Sequence, residues 1–564
     1  MMAPITELYP EYSLTSSIDT LRSEQYAHLD EKNHTYLDYT GSGLASASQL
    51  AHSSVRLSST LYGNPHSINP SSQASTEAIN VARVKVLQHL SADAEEYDVI
   101  FTANATGAAR LIGESYSFTR GRKLVLTADN HNSVNGLREF AGRKGSNIIY
   151  IPISTPDLRI NDGDVMDILS PAREGRTATL RTGINRLAVS LMRCLSSRKS
   201  RHTITKGSYE NGMKRPSMSD TATTDKTTSF DTSTRYKATP HWQSLVSASK
   251  HTSTRLAAHE KSKDGRGLFA YPAQSNFTSV RHPLSWVSLA QRRGYDVLLD
   301  AAAYLPTASL DMSVIKPEFL IISWYKLFGF PTGVGCLVVK KEALSRLERP
   351  WFSGGTIQAT TVGVPWHLMA KGPEGFEDGT VNFLGIPDIM FGLEWINAVG
   401  LGVIGVRVRC LTGWFLKRLA ALRHSDGTPM AKTYGPQDVD MRGGTVAFNL
   451  LDRDGKVVDE RLVGQESAAA RISLRTGCFC NPGAGEASMG LDVTALRRLA
   501  NAKTLMRGMD DFIEVLGLPS AGAIRVSFGI ASTAADVDKF FDFVEKTYRD
   551  RVTSSEGLAP RDSC

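Results

Sequence analysis

Phe319-Leu320-Ile321-Ile322-Ser323-Trp324-Tyr325-Lys326-Leu327-Phe328-Gly329-Phe330-Pro331-Thr332-Gly333 decides the reading of this 564-residue chain. Its first four residues form an apolar run of the kind that makes a strand buried on both faces. The Gly- and Pro-containing turn that follows ends before a second apolar run, Gly335-Cys336-Leu337-Val338-Val339. Lys326 therefore stands at a strand end among aromatic residues. An amine desolvated there has a lowered pKa and can form a Schiff base with a carbonyl cofactor. Taken alone, such a lysine is more often a surface residue, and the neighbouring segments decide.

Working outward, Asp300 closes the run Val297-Leu298-Leu299. A carboxylate at a buried strand end can keep a pyridine nitrogen protonated and make the ring an electron sink, or it can serve as a plain cap. Phe101-Thr102-Ala103-Asn104-Ala105-Thr106-Gly107 reads as a strand, a turn of small residues and a helix start. Its free N–H groups suit a phosphate as well as an ordinary cap. Val99-Ile100-Phe101, Lys123-Leu124-Val125-Leu126, Val297-Leu298-Leu299 and residues 335–339 predict strands, alternating with helical patterns at Ser75–Leu90, Ala105–Ser115 and Val134–Gly142. That alternation predicts an α/β fold with a mainly parallel sheet wrapped by helices, and ligands at the carboxyl ends of strands. After about Trp366, long helices and sparser strands ending in Asp536–Arg549 predict a smaller α+β domain. The expected organisation is an arm over 1–35, a large domain over 36–365 interrupted at 171–260, and a small domain over 366–564.

Residues 171–260 are rich in Ser, Thr, Lys and Arg with little apolar periodicity, and read as a disordered insertion with a short helical piece around Leu187–Cys194. They hold 16 Lys and Arg against 6 Asp and Glu, a balance of +10, so with a net charge of +7 the rest carries −3. The folded part is near neutral and gives no argument for nucleic acid. The N-terminus lacks the basic start and apolar run of a signal peptide. Phe391–Val406, interrupted by Glu394 and Asn397, is too short for a membrane span and reads as a buried helix. Six cysteines are too few for a disulfide framework, which fits a reducing, cytoplasmic setting.

Cys478 and Cys480 differ from the other cysteines, because they lie one residue apart near Arg475 in a Gly-flanked segment where a thiolate is stabilised. Alternation along an extended loop would point both thiols to one side. A zinc site would need a second ligand pair, and none is apparent. Arg525, within the apolar run Ala523-Ile524-Arg525-Val526-Ser527-Phe528, calls for a carboxylate partner from a ligand or from the protein.

In chain order, Tyr36-Leu37-Asp38-Tyr39, Gly63-Asn64-Pro65-His66-Ser67, Asp129-Asn130-His131-Asn132-Ser133-Val134, Tyr271-Pro272-Ala273-Gln274-Ser275-Asn276-Phe277, Asp300-Ala301-Ala302-Ala303-Tyr304, Ser323 with Lys326, and Arg475-Thr476-Gly477-Cys478-Phe479-Cys480-Asn481-Pro482-Gly483 carry a resemblance. Together they resemble the class V aminotransferase-fold family that includes the cysteine desulfurases, and within it the molybdenum cofactor sulfurases. The resemblance implies a type I pyridoxal 5'-phosphate enzyme. Lys326 would hold the cofactor, Asp300 face its ring nitrogen, His131 stack on the ring, Asn276 face the ring hydroxyl, and Ala105, Thr106 and Ser323 contact the phosphate. Gly354-Gly355-Thr356 and Gly379-Thr380 would reach the phosphate of a neighbouring subunit, so a homodimer is expected. Arg525 and Arg475 would bind an amino-acid substrate, with Arg525 on its α-carboxylate.

Cys480, favoured over Cys478 by the motif, would take the sulfur of L-cysteine as a persulfide, with Lys326 and His131 carrying protons. The sulfur would go to the molybdenum cofactor or a partner protein. Ala303 and Tyr325 stand where many desulfurases have glutamine and histidine, as in the molybdenum cofactor sulfurases. The chain runs about 40 residues past Arg525, without the further domain that binds the molybdenum cofactor in eukaryotic sulfurases, so delivery is expected to need a partner. Two rival readings stay open. One is a lyase or carbon-bond-forming enzyme that uses the same cofactor without a persulfide, and the other is a non-catalytic interaction protein built on this fold.

Overall fold

The apolar runs become one seven-stranded sheet: β1 (Tyr97–Thr102), β2 (Lys123–Thr127), β3 (Asn147–Ile151), β4 (Gly267–Pro272), β5 (Tyr295–Asp300), β6 (Phe319–Ser323) and β7 (Gly335–Lys340). The computed structural model describes residues 3–170, 266–502, 508–520 and 522–561. The expected insertion at 171–260, with its short helix, lies outside them. The strand order is β1-β7-β6-β5-β4-β2-β3. From β6 to β3 the pairing is parallel, as expected. β7 departs from that pattern and runs antiparallel to both β6 and β1. The reason is chain length: only residues 324–334 join β6 to β7, with a single short helix, α3, among them, and a parallel return needs a crossover of about a dozen residues or more.

Both faces of the sheet are covered, so successive residues enter two different cores. Val99, Phe101, Val125, Phe269, Val297, Leu299, Leu320, Ile322 and Val338 belong to one cluster. Their neighbours Ile100, Leu124, Leu126, Leu268, Leu298, Phe319, Ile321 and Leu337 belong to the other. Helices α1 (Pro70–His89), α2 (Ala105–Ser115) and α3 (Trp324–Phe328) belong to this part of the chain. The pattern at Val134–Gly142 resolves into two short helices, Asn132–Asn135 and Leu137–Arg143, separated at Gly136. The apolar stretch 391–406 is likewise two helices rather than one: α4 (Asp388–Val399) and α5 (Leu401–Ala421) meet at Gly400 with a 67° bend. Gly400 has φ +89°, a backbone conformation that breaks helical continuity. No single helix among the described residues is long and apolar enough to cross a membrane.

A second, antiparallel sheet contains β8 (Ala431–Tyr434), β9 (Thr445–Leu450), β10 (Arg475–Gly477) and β11 (Ala523–Ser527), in the order β8-β9-β11-β10. What matters for the site is a shared edge. β1, β2, β4, β5 and β6 all end there, and β7, running the other way, begins there, with Gly335 opposite both Thr102 and Ser323.

Gly329 ends α3 at φ +78°, and a Cβ there would fall on the backbone of Leu44 and Ala45. Gly329→Ala is expected to lower the unfolding free energy by about 3 kcal/mol, read as a lower urea midpoint at unchanged slope. A loss below about 1 kcal/mol would show that the Leu44 segment yields to the new methyl.

Candidate active site

The loops at this edge enclose a cavity of about 390 Å³. Ala105 and Thr106 reach it from the turn after β1, His131 and Ser133 from the turn after β2, and Gln274 and Asn276 from the loop after β4. Asp300 closes β5 and Ser323 closes β6, with Lys326 three residues further in α3; Thr332 and Gly333 precede β7. Lys326, Asp300, His131, Asn276, Ser323, Ala105 and Thr106, drawn from distant parts of the sequence, thus line one cavity.

Local structure sets the chemistry of each group. Asn104 caps α2 by accepting from Gly107 N–H at 2.9 Å. The N–H groups of Ala105 and Thr106, at the positive end of an 11-residue helix, are left facing the cavity. Ser133 N–H donates to His131 Nδ1 at 3.1 Å, so the neutral ring carries its proton on Nε2. The Ser133 hydroxyl lies 3.0 Å from the same nitrogen and 2.7 Å from Thr106 Oγ1, tying the imidazole to the start of α2. Burial, followed by the nearby Lys326 charge, holds His131 below the ordinary histidine pKa. Lys326 lines the cavity. Burial pulls its amine pKa down, against the opposing pull of the Asp300 carboxylate. Asp300 Oδ1 accepts from Ala302 N–H at 3.0 Å, which leaves Oδ2 without a hydrogen bond among the described residues.

An amine of lowered pKa, a carboxylate, a neutral imidazole and an anion-binding helix end surround one cavity. This donor set fits a planar pyridine ring bearing a carbonyl and a phosphate, the group expected from the sequence.

The remaining candidates are not among the residues that line this cavity. Arg525 is buried, its side chain 3% exposed, and its partner comes from the protein itself: Nη2 pairs with Asp38 Oδ1 at 2.9 Å. Its Nη1 donates to Asn276 O at 3.0 Å, and its guanidinium lies 4.7 Å from the Phe479 ring centre. Arg475 takes the other oxygen of the same carboxylate at 2.9 Å but is 51% exposed. Of the two arginines, Arg475 is the one open to a ligand. Thr356 is buried, and its hydroxyl is used within its own turn by Ser353. Thr380 instead lines an open surface hollow with His66, Gly354, Gly355 and Gly379.

Cys480 is a free, exposed thiol, while Cys478 is half-buried. Phe479 and Cys480 have φ of +56° and +53°, so the segment turns here, and the alternation expected of an extended loop does not hold. The carbonyl of Cys480 accepts from Asn132 N–H at 2.8 Å, placing the thiol's loop against the residue that follows His131.

Asp38, Ser133, Gln274 and Asn481 were not among the sequence candidates, although each lies inside a segment singled out for its resemblance. Gln274 is fixed from both ends, donating to Ala303 O at 2.7 Å and accepting from Arg281 at 2.9 Å. Membership of a motif is the signal that could have found them. Their partners lie up to 487 positions away, and spacing does not carry that information.

The sequence profile of the aminotransferase class-V family matches residues 35–171 and 234–540. Molybdenum cofactor sulfurase from Solanum lycopersicum is 32% identical over 97% of this chain and 59% of its own length. The protein of the same name from Homo sapiens is 28% identical over 94% of this chain and 51% of its own length. The chain therefore spans between half and three fifths of these relatives. Among solved structures, the apo cysteine desulfurase from Thermococcus onnurineus NA1 superposes with a TM-score of 0.63, at 18% identity over 94% of this chain and 98% of that one. Cysteine desulfurase CsdA from Escherichia coli, in its S-sulfonic acid form, gives 0.59, also at 18% identity and with the same coverage. At that identity the likeness concerns the fold.

Replacing Asp38 with Ala leaves the Arg525 charge buried without its carboxylate, and is expected to cost about 3–5 kcal/mol of stability. Arg475→Ala, on the exposed side of the same carboxylate, is expected to cost less than about 1 kcal/mol. Equal losses in denaturant titrations would show that the carboxylate does not discriminate between its two partners.

Proposed function

The chain belongs to the class-V aminotransferase family, and on that premise we propose that it is a pyridoxal 5'-phosphate-dependent cysteine desulfurase, taking sulfur from L-cysteine as a persulfide on Cys480. The observation that carries this reading is the free Cys480 thiol, on a loop whose carbonyl is bonded to Asn132 beside the cavity residue His131. The acceptor in this proposal is the molybdenum cofactor, by analogy with the names of the relatives. A homodimer is also part of it, supported by the open hollow around His66, Gly355 and Thr380, which has room for residues of a second copy.

Lys326 and Asp300 would hold the cofactor's carbonyl and ring nitrogen, Asn276 and His131 its ring, and the α2 N-terminus with Ser323 its phosphate. When bound, the cofactor supplies an electron sink next to the substrate α-carbon. The chain's own groups do the rest. Arg475 offers its exposed guanidinium to the substrate carboxylate, with Arg525 and Asp38 fixed behind it. Lys326, whose burial favours the neutral amine, takes and returns the proton at the α-carbon. His131, neutral with its proton on Nε2, donates into the cavity. Cys480 as thiolate attacks the substrate sulfur: an S–S bond forms as the substrate C–S bond breaks, and protonation at carbon gives alanine.

With the loaded protein and L-cysteine, Cys480→Ala is expected to lower alanine release by at least about 100-fold while the cofactor absorbance band is kept. Alanine release that persists in this variant would overturn Cys480 as the sulfur acceptor. Because burial lowers the Lys326 pKa, its neutral amine survives to lower pH than an ordinary lysine. Cofactor capture by the apoprotein is expected to fall, as pH drops, through a midpoint below about 10.4; stopped-flow absorbance across pH checks this, and a midpoint at or above that value would contradict it.

A further inference from the structure

Phe479 and Cys480 form a pair of consecutive non-glycine residues at φ +56° and +53°, a conformation that persists only where the surroundings enforce it. The surroundings here are two turns that also line the cavity. Asn481, fully buried, donates from Nδ2 to Asp129 O at 2.8 Å and to Asn276 Oδ1 at 2.9 Å. Its Oδ1 accepts from Ala484 N–H at 3.2 Å, capping α6 (Pro482–Ser488). Asn276 answers with Nδ2, which donates to Phe479 O at 2.7 Å. Asn132 N–H completes the set on Cys480 O at 2.8 Å. Residues 479, 480 and 481 are therefore each fastened to the turn of His131 or to that of Asn276. The fit is close: at Gly483 a Cβ would run into Ala128 O, just upstream of the His131 turn.

Asn276 is the hub of this network. Its side-chain oxygen and one N–H are committed to the thiol loop, and an amide carries a second N–H, while the residue itself lines the cavity. A cavity ligand that accepts from that second N–H polarises the same amide that grips Phe479 and Asn481. We propose that Asn481 is a positioning residue that locks the Cys480 thiol to the cavity wall through Asn276 and Asp129, so that cofactor occupancy and thiol position are coupled. This inference rests on Cys480 as the sulfur-accepting thiol.

The test follows alkylation of Cys480 by iodoacetamide, read by mass spectrometry of its peptide, in apoprotein and in protein loaded with pyridoxal 5'-phosphate. In the wild type, loading is expected to slow alkylation. Asn481→Ser keeps a capping oxygen for α6 but cannot reach Asp129 and Asn276. Its alkylation is expected to be about 10-fold faster, the scale of one or two hydrogen bonds, with the dependence on loading reduced towards none. The variant should keep its cofactor and its KM for L-cysteine while kcat falls. Wild-type rates and wild-type dependence in Asn481→Ser would reduce Asn481 to a helix cap and overturn the proposal. Hydrogen exchange on the unmodified protein needs no variant: the amides of Asn132 and Ala484 should gain protection on loading, and no change at either would overturn it equally. Neither readout requires turnover. A coupled loop in a protein that releases no alanine would therefore sink the desulfurase reading and leave the coupling standing.

Discussion

A sheet buried on both faces has no place for polar side chains except beyond its strand ends, because every second residue enters one core and the residues between enter the other. In this protein that constraint acts on the central strands β4, β5 and β6, which are buried along their whole length. The polar groups that line the cavity all lie at or just past strand ends, and the parallel run from β6 to β3 puts those ends on one edge. The antiparallel β7 adds the last loop to the same edge. Its first residue, Gly335, lies so close to the Asn104–Ala105 backbone that a side chain would not fit, which presses the amino end of α2 against the cavity.

The burial that shapes the sheet also sets the electrostatics. Lys326 and His131 are both pushed towards their neutral forms by the loss of water, and the proximity of Lys326 pushes His131 further the same way. A short distance away the balance reverses. Arg525 and Arg475 share the single carboxylate of Asp38, an excess of one positive charge. An anion that reaches the exposed Arg475 meets that excess.

Much of this was legible in the sequence. The runs at 99–101, 123–126, 297–299 and 319–322 read as strands because apolar residues filled both faces, and Lys326 and Asp300 could be placed because strand ends are visible as the places where those runs stop, whereas His131 was placed by the resemblance alone. What escaped depended on length or distance. β7 looks like its neighbours in composition, and only the shortness of its connection dictates its direction. The helix break at Gly400 lies within an apolar pattern that continues through it. Arg525 asked for a carboxylate, and the sequence offered no means of choosing Asp38, hundreds of positions away, over a substrate. Asn481 was quoted as part of a motif, yet its three partners only come together in the fold.

One consequence of the topology concerns how this protein can change over evolutionary time. The chain re-enters the main sheet at Gly267, the amino end of β4, whereas the cavity lies at the carboxyl ends of β4, β5 and β6. A change of length before β4 leaves the described loops that carry cavity residues as they are. Such drift enters at the amino end of β4, the end opposite the described cavity residues, and so leaves their spacing untouched.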